Sequence, residues 1–329
     1  MSDTNMSEDD KSEDIISEDN ISEHSISEYN YNGGLCGLVN FGATCYLNST
    51  LQALINNNYI VKHILKNKYT VNNTYSDHIL VKELESLLRD LWNENCIMAP
   101  KRFIFEFSQI EKMNLNEQND PDEFYEKILS RIYEETCILV SDTNNKEWDN
   151  NFKNKHSFVN ENFYGQYKSE IVCLNCNHNS LTYSPFITLK LEIVNNNMLQ
   201  CLKSHLSWEN NITFTCEKCK CKDKAKKRFT ILKIPNVFVV TLKRYTNFGQ
   251  KKNDIIEYPL LFEIDNIKLE LYAIIVHYGS HLFCGHYTSY VKYINNNNWY
   301  HIDDNNIEEV NIDTIDKSDV YMLFYKRIN

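Results

Sequence analysis

No stretch of this 329-residue chain approaches the roughly 18 to 20 consecutive apolar residues that a membrane-spanning helix needs. Its first residues are acidic and polar, without the basic start and apolar centre of a secretory signal. Neither membrane insertion nor export is expected, and the chain is assigned to a reducing compartment inside a cell, cytoplasm or nucleus. Positive charge is also in short supply, since the formal net charge is −11. Residues 1 to 30 hold five Asp and five Glu against the single Lys11, a charge of −9, so everything after them carries only −2. A nearly neutral body lacks the broad basic face that displaces counterions from nucleic-acid phosphates. The one local basic run, Lys218 to Arg228, reads as a solvated face or hairpin tip around a metal site.

Cysteine, by contrast, is present in quantity, with eleven residues. In a reducing compartment, paired cysteines bind metal or catalyse more often than they form bridges.

The amino terminus carries a repeat, MSEDD, KSEDI, ISEDN, ISEHS, ISEYN, five units of five residues from Met6 to Asn30. A five-residue period fits neither helix nor strand, and so charged a segment has too little apolar surface to offset its ordering entropy. Residues 1–32 are therefore expected to be a disordered acidic tail, most simply a solubilising one.

A folded unit is expected over 33–329. Up to about residue 150 the patterns are helical: "HILVKELESLLRDLW" places Ile79, Leu80, Leu84, Leu87, Leu88 and Leu91 at a 3.6-residue period, and "PDEFYEKILSRIYEE" begins with Pro121 and acidic residues, as a first helical turn does. From about Phe163 the texture changes to short β-type runs, "SPFITLKLEIV", "NVFVVTLKRY", "LYAIIVHYG" and "HYTSYVKYI". The asparagine tracts at 56–58, 195–197 and 295–298 read as loop tips. A helical half followed by a sheet half gives an α+β fold with a cleft between them.

Three groups of residues carry chemistry. Cys173 and Cys176 in "CLNC" and Cys216 and Cys219 in "CEKC" form two CxxC knuckles, each able to place two thiolates about 2.3 Å from one tetrahedral Zn²⁺. Four thiolates close the shell, so such a zinc is structural, and Cys221 is a spare thiol. In "NFGATCYLNSTLQ", Cys45 opens a segment whose Leu47, Leu51, Leu54 and Ile55 fall at helical spacing. A helix start favours the thiolate of a cysteine, and a neighbouring imidazolium does so further. Taken alone, the stretch serves a buried structural cysteine equally well. A nucleophile needs a base and a group to orient it. His286 in "CGHYTSYVKY" heads a β-type run, and "WYHIDD" offers Asp303 and Asp304 after a second one. The turn at 295–298 can pair the two runs as a hairpin and bring acid to imidazole.

These motifs in this order resemble the ubiquitin-specific protease family, papain-like cysteine deubiquitinases. "GLVNFGATCYLNSTLQALI" resembles the cysteine box of the family and "GHYTSYV" with "WYHIDD" its histidine box. Between and after them, "QNDPDEF", "GQYKSEIVCLNC", "VFVVTLKRY" with "YPL", and "YMLFYKR" are similar to further family motifs, so that the resemblance covers about 33 to 327.

The resemblance implies a papain-like cysteine protease fold with a mainly helical thumb over 33–150, zinc-tied β fingers over 163–250 and a β-sheet palm over 251–329. It implies Cys45 as nucleophile, His286 as base, Asp303 as the residue orienting it, Asn40 as oxyanion donor and Asp304 as a supporting acid. Gln118, Asp120 and Glu123 match family motif positions, where the carboxylates of Asp120 and Glu123 could pair with the arginine of ubiquitin's Leu-Arg-Gly-Gly tail. The implied activity is a ubiquitinyl hydrolase acting after ubiquitin's C-terminal glycine. Its implied partners are ubiquitin and ubiquitinated proteins, without nucleic acid or membrane. It would act as a monomer, with one structural Zn²⁺ and no catalytic cofactor. The alternatives are a protease for a ubiquitin-like modifier and a catalytically silent ubiquitin-binding module. Pro121 departs from the family motif; at a helix's first position its missing N–H is an orphan anyway.

Overall fold

Leu80, Leu84, Leu87, Leu88 and Leu91 form the buried stripe of the Ile79–Asn93 helix, the outcome of apolar residues recurring at 3.6. The computed structural model describes residues 33–66, 68–72, 79–141, 145–282 and 284–328. The acidic repeat lies outside them. Further helices span Cys45–Ile55, Asn58–Leu65, Lys101–Glu111 and Pro121–Thr136, with shorter ones at Lys146–Phe152 and Phe158–Phe163. The Pro121–Thr136 helix starts as its sequence predicts. Asp120 is the N-cap, its carboxylate accepting the Asp122 N–H at 2.8 Å, and Pro121 holds the first turn.

The second half builds two sheets. The larger runs Asn306–Val310, Trp299–Asp303, Cys284–Lys292, Ile267–His281, Val320–Ile328, Val237–Leu242 and Thr188–Leu191, with Leu261–Ile264 added against Ile267–His281. Neighbours are antiparallel except for the parallel last pair. Both faces of its centre are buried. Val237 and Val239 join the core under the helices, while Phe238, Val240 and Leu242 join a second core on the opposite face. That is why this strand reads as a nearly continuous apolar run, interrupted only by Thr241, rather than an alternation. The smaller, antiparallel sheet is Asn179–Phe186, Gly165–Cys173, Ala225–Lys233 and Glu209–Asn210.

Two expectations need correction. A division between fingers and palm at residue 250 does not follow sheet membership, because Thr188–Leu191 and Val237–Leu242 belong to the large sheet. The two strands pair in parallel, Val239 with Thr188 to Leu242 with Leu191, joining partners 51 positions apart that a linear division cannot connect. The tract 56–58 is not a loop tip either. Asn56 and Asn57 are 3% and 1% exposed, and the Asn57 side chain accepts from the N–H groups of Tyr59 and Ile60, capping the next helix. The other two tracts do turn the chain, with Asn195, Asn196 and Asn297 in the left-handed region that Asn tolerates.

The Cys45–Ile55 helix is buried on every side, lying between the Pro121–Thr136 helix and the strand Cys284–Lys292. Its polar residues are hydrogen-bonded, as burial demands. Asn48 donates to the Leu38 carbonyl at 3.2 Å, Thr50 to the Tyr46 carbonyl at 2.8 Å, and Gln52 to the Cys36 carbonyl at 2.7 Å.

Candidate active site and four-cysteine cluster

The loop before Cys45 is organised by one side chain. Asn40 Oδ1 accepts from the Gly42 and Thr44 N–H groups at 2.9 and 3.2 Å and from the Thr44 hydroxyl at 3.2 Å. Gly42 has φ +104°, and nothing lies within 4 Å of where a Cβ would stand. Backbone conformation, not crowding, therefore selects glycine there. The helix then starts at Cys45 with no side-chain cap, leaving its first N–H groups for another acceptor. Cys45 itself is 2% exposed.

The strand Cys284–Lys292 pairs with Trp299–Asp303 in the register Ser289–Ile302 to Lys292–Trp299, the hairpin expected from the asparagine turn. Its open end sets His286 Nε2 2.5 Å from Asp303 Oδ1. With Nε2 engaged, the other ring nitrogen is left open. Cys45 is the largest influence on His286, ahead of opposing burial and of Asp303, and the imidazole is held at about 9 against an ordinary 6.5. Metal ligation by His286, Asp303 and Asp304 is conceivable from their proximity. However, two atoms 2.5 Å apart cannot both ligate one ion at about 2.0 to 2.2 Å without crowding each other.

Asp304 has a different duty. It lies 3.8 Å from His286 Nε2, and its oxygens accept from Asn40 Nδ2 and Asn48 Nδ2, both at 2.8 Å. Its backbone carbonyl accepts from the Leu38 N–H at 2.8 Å. The carboxylate thus ties the loop before Cys45, the helix after it and the hairpin end together. The sequence reading missed Asn48, one of four polar residues on the helix with Ser49, Thr50 and Gln52, and nothing local separates it from the others.

Gln118, Asp120 and Glu123 stand in three different settings. Gln118 brackets Gly285, donating to its carbonyl at 2.6 Å and accepting its N–H at 3.2 Å, which steadies the residue before His286. Gly285 has no room for a side chain, since a Cβ would stand 2.2 Å from His277 Nε2. Asp120 accepts from the Tyr321 hydroxyl at 2.7 Å, and burial pushes its carboxyl up to about 6. Glu123 is exposed and paired with Lys127 at 2.6 Å. Of the three, Asp120 lines the cleft beside Tyr245, Leu282 and Tyr321. The bracketing of Gly285 by Gln118 and the Tyr321 contact of Asp120 span 167 and 201 positions, so the motif alone does not show them. Asp122, which no motif singled out, lines the same cleft and holds Lys190 at 2.8 Å and the Thr241 hydroxyl at 2.6 Å.

At the far end of the small sheet the two CxxC segments meet. Cys173 and Cys219 sulfurs are 3.7 Å apart, as are those of Cys176 and Cys216, and all four lie within 4.8 Å of one another. A tetrahedron with vertices about 2.3 Å from its centre has edges of about 3.8 Å, so the donor set fits a tetrahedral thiolate-bound ion. Both segments take one shape. Asn177 and Lys220, each four residues past the first cysteine, have φ 54° and 58° and return their N–H groups to the carbonyls of Cys173 and Cys216 at 2.9 Å. Cys221 stands outside the cluster.

The ubiquitin carboxyl-terminal hydrolase family model matches residues 36–325. Ubiquitin carboxyl-terminal hydrolase 23 of Arabidopsis thaliana is 29% identical over 308 residues, covering 88% of this chain and 35% of that protein. Ubiquitin carboxyl-terminal hydrolase 8 of Saccharomyces cerevisiae is 28% identical over 334 residues, covering 89% and 70%. The chain thus spans about a third of the Arabidopsis relative. Among solved structures, the SAGA DUB module of Ubp8, Sgf11, Sus1 and Sgf73 bound to monoubiquitin is similar with a TM-score of 0.73 and 27% identity, over 92% of this chain and 71% of that one. The same module bound to ubiquitin aldehyde gives 0.71 and 26%, over 91% and 70%.

Proposed function

Because the chain belongs to the ubiquitin carboxyl-terminal hydrolase family, we propose that it is a thiol protease cleaving the bond after the C-terminal glycine of ubiquitin. The observation that carries this reading is the imidazole of His286, held 2.5 Å from Asp303 and raised above its ordinary value chiefly by Cys45. In this mechanism the Cys45 sulfur attacks the glycine carbonyl, and His286, protonated at neutral pH, gives its proton to the departing lysine amine. A water then attacks the thioester while His286 takes its proton, and the free carboxylate leaves. Asp303 orients the ring. One N–H of the Asn40 amide is given to Asp304; the second, with the uncapped N–H groups at the helix start, receives the negative oxygen, an interaction worth about 3 to 4 kcal/mol in comparable sites. No step calls for a catalytic cofactor.

Cys173, Cys176, Cys216 and Cys219 hold one structural Zn²⁺ in this reading. The ion supplies a closed four-thiolate shell that ties two turns of the small sheet and takes no part in the reaction. All reacting groups come from one chain, which supports a monomeric catalytic unit. Eleven free thiols support a reducing, intracellular location in cytoplasm or nucleus. The partner is ubiquitin, alone or attached to proteins. The test is hydrolysis of a ubiquitin C-terminal amide, beside the same amides of ubiquitin-like modifiers, together with capture by ubiquitin bearing a C-terminal electrophile. Cleavage of the ubiquitin amide and an adduct on Cys45 are expected. Preference for another modifier, or neither cleavage nor adduct, overturns the reading.

A further inference from the structure

Cys36 and Cys96 are 60 positions apart in sequence, yet their sulfurs lie 3.5 Å apart. They stand outside the four-cysteine cluster, and the proposed hydrolysis uses neither. A short parallel ladder brings them together. Gly37 pairs with Ile97 and Leu38 with Met98, and the Gly37 N–H donates to the Cys96 carbonyl at 2.9 Å. Cys36 and Cys96 therefore occupy the rung before. Neighbouring strands run about 4.8 Å apart, inside the roughly 4.4 to 6.8 Å between Cα atoms that a disulfide spans. Two side chains of one parallel rung leave from the same face. Closing the gap to about 2.05 Å is thus a matter of side-chain rotation rather than backbone movement.

The two thiols differ in a way that gives each a part. Cys96 is partly exposed, and its sulfur donates to that of Cys36. Cys36 is fully buried and donates to the carbonyls of Leu91 and Glu94 at 3.2 and 3.4 Å. An oxidant from solvent meets Cys96 first, with Cys36 already in place to attack the oxidised sulfur.

We infer that Cys36 and Cys96 form a reversible disulfide when the protein meets hydrogen peroxide, clipping the strand that leads to Asn40 onto the segment after the Ile79–Asn93 helix. In the first step the Cys96 thiol reduces the O–O bond of the peroxide, becoming a sulfenic acid and releasing one water. The Cys36 sulfur then attacks the Cys96 sulfur, the S–O bond breaks, and the hydroxyl departs with the Cys36 proton as a second water. Two electrons and two thiol hydrogens pass to the peroxide in all, and a dithiol reductant restores both thiols. The clipped strand also gives its Leu38 N–H to Asp304 and its Cys36 carbonyl to Gln52 of the Cys45 helix. The bond therefore closes a loop around that helix and narrows the unfolded ensemble.

The experiment treats the zinc-loaded full chain with limiting hydrogen peroxide, alkylates the remaining thiols and maps peptides without reductant. The peptides containing Cys36 and Cys96 should be found joined, with two hydrogens lost, and should separate on reduction. The join should be absent from Cys96→Ser, a partly exposed position that tolerates the change, and from Cys36→Ser. The oxidised wild type should melt about 5 to 10 °C higher than the reduced protein, a shift that Cys96→Ser does not show. Alkylation of both thiols after peroxide, or Cys96 driven to a sulfinic acid while Cys36 stays free, overturns the inference. A linked pair with no melting shift overturns the clip. None of these readouts depends on ubiquitin hydrolysis.

Discussion

The corner around Cys45 and the cluster of four cysteines both gather polar groups from distant parts of the chain, but they are held in different ways. In the cluster, each half is a local turn that brings two thiols together within four residues, and the two turns share one backbone shape. Where the halves meet, a backbone hydrogen bond, Leu174 N–H to the Lys224 carbonyl, crosses beside four sulfurs, two pairs of which stand near the edge length of a metal tetrahedron that the proposed ion would hold together. At the corner each group arrives on its own segment, and the protein's own hydrogen bonds hold the arrangement: Asn40 and Asn48 to Asp304, Gln118 to Gly285, and Asp303 to His286. An ion-held geometry should fail as a unit when the ion leaves. A hydrogen-bonded one should lose chemistry residue by residue while the fold persists.

The largest effect is expected at the corner. Cys45→Ala should lower hydrolysis of a ubiquitin amide by at least about 10⁴-fold, as loss of a nucleophile does elsewhere. Zinc content and ubiquitin binding should stay as they are. Turnover within tenfold of wild type would remove Cys45 from the mechanism.

Next comes Asp303→Asn, expected to lower kcat by roughly 10² to 10³-fold, less than the 10⁴ of the serine-protease acid, because a thiolate at a helix start needs its orienting acid less. Its pH profile carries the sharper test. His286 titrates near 9 against an ordinary 6.5. A raised value in the folded state means that its stabilisation is fully present below pH 6.5 and is lost as the pH rises through about 9. Loss of the imidazolium should also end proton donation to the leaving amine, so kcat/KM should fall along that alkaline limb. Cys45 outweighs Asp303 in raising His286, so Asp303→Asn should move the limb down only part of the way, and Cys45→Ala should move an NMR titration of His286 further. A limb unmoved by Asp303→Asn would pass the orienting role to Asp304.

The contrast also explains what was legible in the sequence. A CxxC knuckle is a local object, so its spacing alone announced all four cluster residues. The hairpin carrying His286 and Asp303 was legible because an asparagine turn joins two β-type runs. By contrast, the pairing of Asn40 with Asp304 spans 264 positions and that of Asn48 with Asp304 spans 256. No local pattern encodes such contacts; family resemblance suggested Asn40 and Asp304, and nothing suggested Asn48. The contacts of Gln118 with Gly285 and of Asp120 with Tyr321 were illegible for the same reason, since a motif shows which residues recur and not what they touch.

Zinc removal should come third. Chelation, or Cys216→Ser, should raise KM for ubiquitin substrates by roughly 10 to 100-fold as the tip of the small sheet loses its geometry. The His286 titration should stay near 9, because that corner is held by hydrogen bonds of its own. Metal-free protein with unchanged KM would show that the cluster has no part in binding. A His286 titration that moved with zinc would show that the two regions are coupled.

The smallest effect expected lies at the junction of the two halves. Asp122 is 4% exposed at the start of the Pro121–Thr136 helix, yet its partners Lys190 and Thr241 belong to strands of the large sheet. Asn at this position keeps an acceptor for the Thr241 hydroxyl and removes the charge facing Lys190. Lys190 is 46% exposed and retains Glu126 at 3.3 Å, so it is not stranded. Asp122→Asn should therefore destabilise the chain by only about 0.5 to 1.5 kcal/mol in denaturant unfolding. Asp122→Ala should cost more, since it leaves the buried Thr241 hydroxyl without its acceptor. Because Asp122 and Asp120 flank Pro121 and line the same cleft, any loss of activity in the Asn variant should fall on KM and spare kcat. An equal loss in kcat would mean that this junction, and not only the hydrogen bonds at the corner, holds the reacting groups in place.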